Sequence, residues 1–418
     1  MRKIIITLLI AMLIANNAAA SSENAPACGK LSDYYTQKIY DGIIGYPCYK
    51  VTEINDNMIG IMGRSDDYRS NDNFRHYTIA ESGKYIMMVI DEHENMDKKI
   101  KISDDEKDGA RIRMKILDCF EDEETLYMAV YKSILIGFKY EGSYLMIGMK
   151  NGEQVFTKTI GDENVKNIYK GENDFLFVCE EDGKIILKKI NEQGEIDVID
   201  YIGDTNRYNV ISTCESQTDY YMLIETWHPM NETDTWKMLH KTEYIIKKIS
   251  KGDKETKIIS ALDNRTNNTT YIFDGMNCDE EGIYVYGFNA RKNNKTKEMI
   301  CCYDEELAIK WDMVFEMTYE STHIVQIELM PGDRMICLVR ERPITIIEKF
   351  KSDDSKIQIL AIDDNKNVSV VYDGYDDCFA IKYFAGNLHA FWYGNLDELE
   401  DFRRGIYMTR IPIRASEK

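Results

Sequence analysis

Seven short apolar runs recur along the chain, and their spacing limits the fold more than any other feature. They are YIMMV from Tyr85, LYMAV from Leu126, FLFVC from Phe175, YYMLI from Tyr220, IYVYG from Ile283, MICLV from Met335 and LHAFW from Leu388. Each follows closely on Gly, Asp, Glu or Asn. The intervals are 41, 49, 45, 63, 52 and 53 residues, about 50 on average. Runs of five aliphatic and aromatic residues fit a strand and are too short for a typical helix.

The stretch 164–203 contains a whole unit. It reads as strands over Val165–Tyr169, Phe175–Cys179, Lys184–Ile190 and Glu195–Ile202, with tight turns at Asp182-Gly183 and Gln193-Gly194. One twisted four-stranded sheet cannot bury both of its faces, so such units must stack, and a ring leaves the fewest faces exposed. The expected fold is all-β: a β-propeller of about seven four-stranded antiparallel blades. The all-apolar second strand lies deep between blades, and the third and fourth strands alternate toward the rim. The segment 282–315 repeats the scheme. Over roughly residues 75–414 the pattern resembles the repeats of extracellular propeller proteins, at the level of architecture. The last unit has strands near Ala380–Phe384, Leu388–Trp392 and Ile406–Ile411, and only seven residues follow. Its fourth strand is therefore expected from the N-terminal end of the chain, with Ile43–Ile54 as the candidate. The alternative is a tail docked outside the ring. The expected division is 1–20, a signal peptide; 21–74, an N-terminal segment supplying the closing strand; and 75–418, the propeller.

The first twenty residues read as an export signal. Arg2 and Lys3 precede an apolar run from Ile4 to Ile14, and Ala18, Ala19 and Ala20 offer a cleavage site before Ser21. No later stretch reaches 18 apolar residues, so no membrane span is expected, and the mature chain is placed outside the cytoplasm. With 72 acidic against 52 basic side chains the formal charge is −20. That balance argues against nucleic acid and against anionic lipid. Ten cysteines in an exported chain permit disulfides. Cys28 and Cys48, both in polar turn-rich sequence, are the candidate pair. Cys179 and Cys337 sit inside apolar runs as small buried hydrophobes. Cys301 and Cys302 would point to opposite faces of one strand.

The longest interval holds the sequence ETWHPMNETDTWKMLH, from Glu225 to His240, between the second and third strands of its unit. Trp227, His228, Trp236 and His240 concentrate there as the candidate binding residues. Exposed, such rings stack on a sugar or fill a partner's groove; otherwise they cover the edge of their own blade. A second departure, 395–404, reads as a short helix capped by Asn395, either a lid or a packed turn.

Catalytic patterns are lacking. The six histidines form no paired ligand spacing, and there is no nucleophile elbow or Gly-rich phosphate loop. The acidic clusters at Asp104–Asp108 and Glu121–Glu124 read as solvated turns. So does Asp363-x-Asn365-x-Asn367, which has Val368 where a calcium loop needs Gly. No metal or cofactor is expected. The leading expectation is a secreted, non-enzymatic, monomeric propeller binding an extracellular protein or glycan through loops on one face. The rivals are an enzyme on extracellular polysaccharide, with carboxylates in the central funnel, and a structural surface protein. Converging charged side chains over a deep pocket favour the enzyme; a flat aromatic rim favours binding.

Overall fold

The computed structural model describes the chain between residues 31 and 412, apart from connecting segments of which the longest are 41–49, 66–83, 103–110, 230–239, 342–355 and 395–404. Among the described residues, 29 strands form seven antiparallel sheets arranged as the blades of a propeller. Blade 1 is β2 (Lys50–Asn55), β3 (Met58–Ser65), β4 (Lys84–Asp91) and β5 (Met96–Ile102). Blade 2 is β6 (Arg111–Asp122), β7 (Thr125–Ile136), β8 (Lys139–Lys150) and β9 (Glu153–Gly161). Blade 3 is β10 (Val165–Lys170), β11 (Asp174–Glu181), β12 (Lys184–Asn191) and β13 (Ile196–Asp204). Blade 4 is β14 (Tyr208–Glu215), β15 (Asp219–Pro229), β16 (His240–Ser250) and β17 (Thr256–Ile259). Blade 5 is β19 (Thr269–Cys278), β20 (Ile283–Asn289), β21 (Lys295–Tyr303) and β22 (Ile309–Glu320), with a two-residue strand β18 (Arg265–Thr266) beside β19. Blade 6 is β23 (Thr322–Met330), β24 (Arg334–Glu341), β25 (Lys356–Ile362) and β26 (Val368–Tyr375). Blade 7 is β27 (Asp377–Phe384), β28 (Asn387–Gly394), β29 (Gly405–Ile411) and, at its outer edge, β1 (Thr36–Tyr40).

The ring is closed from the N-terminal side, by a different strand from the one expected. Thr36 pairs with Thr409 and Lys38 with Tyr407. Lys50–Asn55, the end of the segment proposed for closure, is instead the innermost strand of blade 1. The propeller thus takes in residues well before 75. The first apolar run, Tyr85–Val89, belongs to β4, a third strand, whereas the other six runs lie in second strands. That difference of one strand accounts for the short first interval.

Six of the second strands carry a continuous apolar run because both faces of the run are buried. On β11, Phe175, Phe177 and Cys179 pack against Phe120, Ala129 and Met146 of blade 2. The intervening Leu176 and Val178 pack against Tyr220, Met222 and Ile224 of blade 4. Each large side chain so buried contributes about 1.5–3 kcal/mol. The Phe120 and Phe175 rings meet across the blade boundary with centroids 4.9 Å apart. Cys301 and Cys302 divide in the same way, one facing the cluster with blade 4 and the other the cluster with blade 6. In blade 3, Asp182 and Gly183 both take positive φ, 51° and 73°, the conformation that a two-residue hairpin turn requires.

Candidate functional site

In every blade the first strand ends and the second begins on one face of the disc, and the second ends and the third begins on the other. On the first of these faces, turns from blades 1 to 5 surround a cavity of about 900 Å³. Its wall is acidic. Glu53, Glu121, Glu215, Asp279, Glu280 and Glu305 line it, against one lysine, Lys170, and its aromatic lining among the described residues is Tyr221.

Below the mouth, charged side chains cross between inner strands. Lys50 pairs with the fully buried Asp118 of blade 2, which also accepts from Thr52 Oγ1 at 2.9 Å. Lys170 of blade 3 reaches across the channel to the backbone carbonyl of Glu53 in blade 1. Lys382 of blade 7 lies 3.1 Å from Glu53 of blade 1 and 2.8 Å from Glu328 of blade 6. Burial alone would lower Lys382, but the two carboxylates outweigh it and the ammonium is held above its ordinary range. Burial pushes the Glu328 carboxyl up against the pull of Lys382. Gln326 clamps the same boundary, donating to Ile381 O at 2.7 Å and accepting from Ile381 N at 3.1 Å.

Two carboxylates differ from the rest: Glu215, in the cavity wall, and Asp174, half-buried just behind the lining residues Gly171 and Asn173. Asp174 opens β11 and Glu215 ends β14. A Cβ on Gly171 would lie 2.0 Å from Asp174 Oδ1 and 2.5 Å from Glu215 Oε2, so the two oxygens are within about 4.5 Å of each other and a side chain there would have to displace them. Asp174 Oδ1 is buried without a hydrogen-bond partner. Burial, reinforced by the charge of Glu215, pushes the Asp174 carboxyl up to about 7. Glu215 keeps a cation, with Lys251 Nζ at 2.6 Å. A proton-holding acid beside a carboxylate paired with an ammonium is an arrangement that can give and take a proton near neutral pH.

The residues singled out from the sequence lie elsewhere. Trp227 is half-buried near the end of β15, where it pairs with Thr242, and Trp227 N donates to Arg207 O at 2.9 Å. His228 and His240 belong to the same hairpin, opposite Lys241 and Pro229. Trp236 lies outside the described residues, as do Cys28, Cys48, residues 1–20 and the segment 395–404. Trp227 is eight residues along β15 from Asp219, at the cavity end, a span of about 26 Å. The hairpin therefore opens on the face opposite the acidic cavity. The Asp363 turn is a hairpin closed on itself: Asp363 accepts from Asn367 N at 2.8 Å and Asn367 Nδ2 at 3.0 Å. Among the described residues no three His, Cys, Asp or Glu side chains converge as a metal site.

The mouth was missed because its signal is distributed. Five polar turns, each directly before an apolar second strand, supply it: INDNM, EDEET, KGEND, ESQTD and CDEEG. Each alone reads as a solvated turn, as Glu121–Glu124 did. The closed ring brings them to one rim.

No protein-family model matches the sequence, and no curated protein does. Solved structures match at the level of fold. The β-propeller domain of the Trilobed protease from Pyrococcus furiosus aligns over 88% of this chain and 95% of that one, with 11% identity and a TM-score of 0.51. A polysaccharide lyase, an ulvan lyase bound to a sugar, aligns over 90% of this chain and 96% of that one, with 7% identity and a TM-score of 0.51. A prolyl endopeptidase aligns over 90% of this chain, which spans 51% of that protein, with 10% identity and a TM-score of 0.51. At such identities the similarity establishes the propeller and no activity.

Proposed function

We propose that the chain is an exported binding propeller that receives a basic segment of a protein ligand at its acidic mouth. The observation that carries this reading is the wall of the 900 Å³ cavity, where among the described residues six carboxylates, two of them (Glu53 and Glu215) paired with Lys382 and Lys251, face one lining lysine. A concave surface of one charge draws in the opposite charge and raises the rate of encounter. The converging carboxylates direct attention to the funnel and away from the Trp-bearing hairpin; converging charged side chains also favour an enzyme, which is the second reading. The scarcity of aromatic platforms in the wall favours a cationic segment over a sugar ring. The test is a titration of fluorescent lysine- and arginine-rich peptides into the purified protein at several salt concentrations. Binding that weakens steeply with salt, and at least tenfold in a Glu280→Lys/Glu305→Lys variant, supports the reading. Equal affinity in that variant and in a rim control, Glu153→Lys on β9, overturns it.

A second reading has its own observation. Asp174 holds a proton to about pH 7 within reach of Glu215. A close pair of carboxyl groups, one of them protonated, is the equipment of a retaining glycosidase, and here the nearest oxygens lie within about 4.5 Å. Release of reducing ends from a panel of polysaccharides, abolished by Asp174→Asn and by Glu215→Gln, distinguishes this reading from simple binding.

A further inference from the structure

Eight described cysteines carry free thiols, and six of them are fully enclosed within or between the sheets. Cys214 and Cys278 differ: both are half-buried and both line the acidic cavity. Cys214 lies near the end of β14, the inner strand of blade 4, and Cys278 ends β19, the inner strand of blade 5. The two strands run side by side. Ser212 Oγ donates to Met276 O at 3.2 Å, and two residues further along, Cys278 Sγ donates to Glu215 O at 3.3 Å. Glu215 directly follows Cys214, so the contact holds the Cys278 thiol against the chain next to Cys214, with both residues on the wall of one cavity.

We propose that Cys214 and Cys278 form a reversible disulfide that ties blade 4 to blade 5 in the cavity wall. The oxidant is a disulfide of a small thiol or of a thiol–disulfide exchange protein. One cysteine loses its proton and attacks a sulfur of the donor, releasing one donor thiolate and leaving a mixed disulfide. The second cysteine, deprotonated in turn, attacks the protein sulfur of that bond and releases the second donor thiolate. Two protein thiols and one donor disulfide thus become one protein disulfide and two donor thiols, with no other reductant or oxidant involved. Burial and the neighbouring thiol push Cys214 well above its ordinary range, so the reaction is slow at neutral pH and quickens as pH rises.

The consequence falls on the cavity. Oxidation removes the Sγ–H that Cys278 donates to Glu215 O, and the side chain of Glu215 lines the wall. A chain that leaves the reducing cytoplasm meets conditions in which such a pair closes. The inference does not depend on which ligand the cavity takes.

The folded full-length protein is incubated with glutathione disulfide and glutathione at graded ratios, alkylated and digested without reduction. Mass spectrometry should then find the Cys214 peptide joined to the Cys278 peptide, lighter than the two together by two hydrogens and separated by a reductant. In Cys214→Ser, Cys278 should be recovered instead as a mixed disulfide with glutathione. The proposal is overturned if wild-type Cys214 and Cys278 are recovered unlinked at every ratio, as alkylated thiols or as separate glutathione adducts, or if either is joined to a different cysteine. The wild-type map decides the matter even if the serine variant does not fold.

Discussion

Thr36 Oγ1 and Thr409 Oγ1 lie 2.8 Å apart, although 373 residues separate them in the chain. They mark the seam at which β1 completes the seventh blade. Thr409 is fully buried and also accepts the indole N–H of Trp392 at 2.8 Å. Thr409→Val keeps the shape and leaves that N–H buried without an acceptor, at a cost of about 1–3 kcal/mol. Thr36→Val, at the better-hydrated end of the pair, should cost less. Chemical denaturation of the two variants checks the order.

The second prediction concerns the channel. Lys382→Met strips Glu328 of its ammonium while the carboxylate stays buried. Breaking one partner of such a pair costs about 3 kcal/mol or more. The loss should be greater at pH 8 than at pH 5, because Glu328 can escape the penalty only by taking up a proton. Adding Glu328→Gln should recover much of the loss, and a double-mutant cycle measures how much.

Asp174 gives a pH-dependent expectation. The folded carboxyl keeps its proton up to about pH 7, whereas an unfolded aspartate loses it near 4. Between those values the folded protein binds more protons, so the contribution of Asp174 to stability falls as pH rises through that window. Asparagine has no proton to lose. Asp174→Asn should therefore match the wild type below pH 4 and melt about 5 °C higher at pH 8. Thermal scans across pH decide this, and a higher melting point at pH 4 alone would contradict it.

The fourth prediction separates the two faces. Trp227→Ala should leave peptide affinity at the acidic mouth unchanged, while Glu280→Lys/Glu305→Lys weakens it at least tenfold. If Trp227→Ala weakens binding of a partner and the charge reversals do not, recognition belongs to the β15–β16 hairpin instead. A sharp fall in melting temperature for Trp227→Ala would mark the ring as packing its own blade.

Blade 3 could be read almost residue by residue because its turns are short and carry glycine, and its second strand is apolar on both faces. Blade 1 could not. Its second strand, MIGIMGRS, holds two glycines and ends in Arg-Ser, so the stronger signal from YIMMV in the third strand took its place. The closing strand was misplaced for a related reason. The innermost strand Lys50–Asn55 is exposed at Lys50 and part-buried at Glu53 and Asn55, so its polar positions resemble those of an outermost strand. Periodicity cannot tell one end of a sheet from the other. The acidic mouth was legible only as five unrelated turns, since their convergence is a property of the closed ring. Cys214 and Cys278, neighbours in the cavity wall, are 64 positions apart in the chain, and no local pattern joins them.

The seam also sets an order of events. Every other blade is made of strands close together in the chain and can form as they emerge. The seventh must wait, because β1 is made early and β29 late. At ordinary rates of synthesis the intervening 373 residues take roughly 20–75 s. Throughout that interval β1 has an unpaired edge, which is an invitation to join the wrong sheet. Its sequence, Thr-Gln-Lys-Ile-Tyr, is five residues long and bears a lysine at its centre. Shortness and charge are the features that discourage stray pairing, and they are also what made the strand inconspicuous in the sequence.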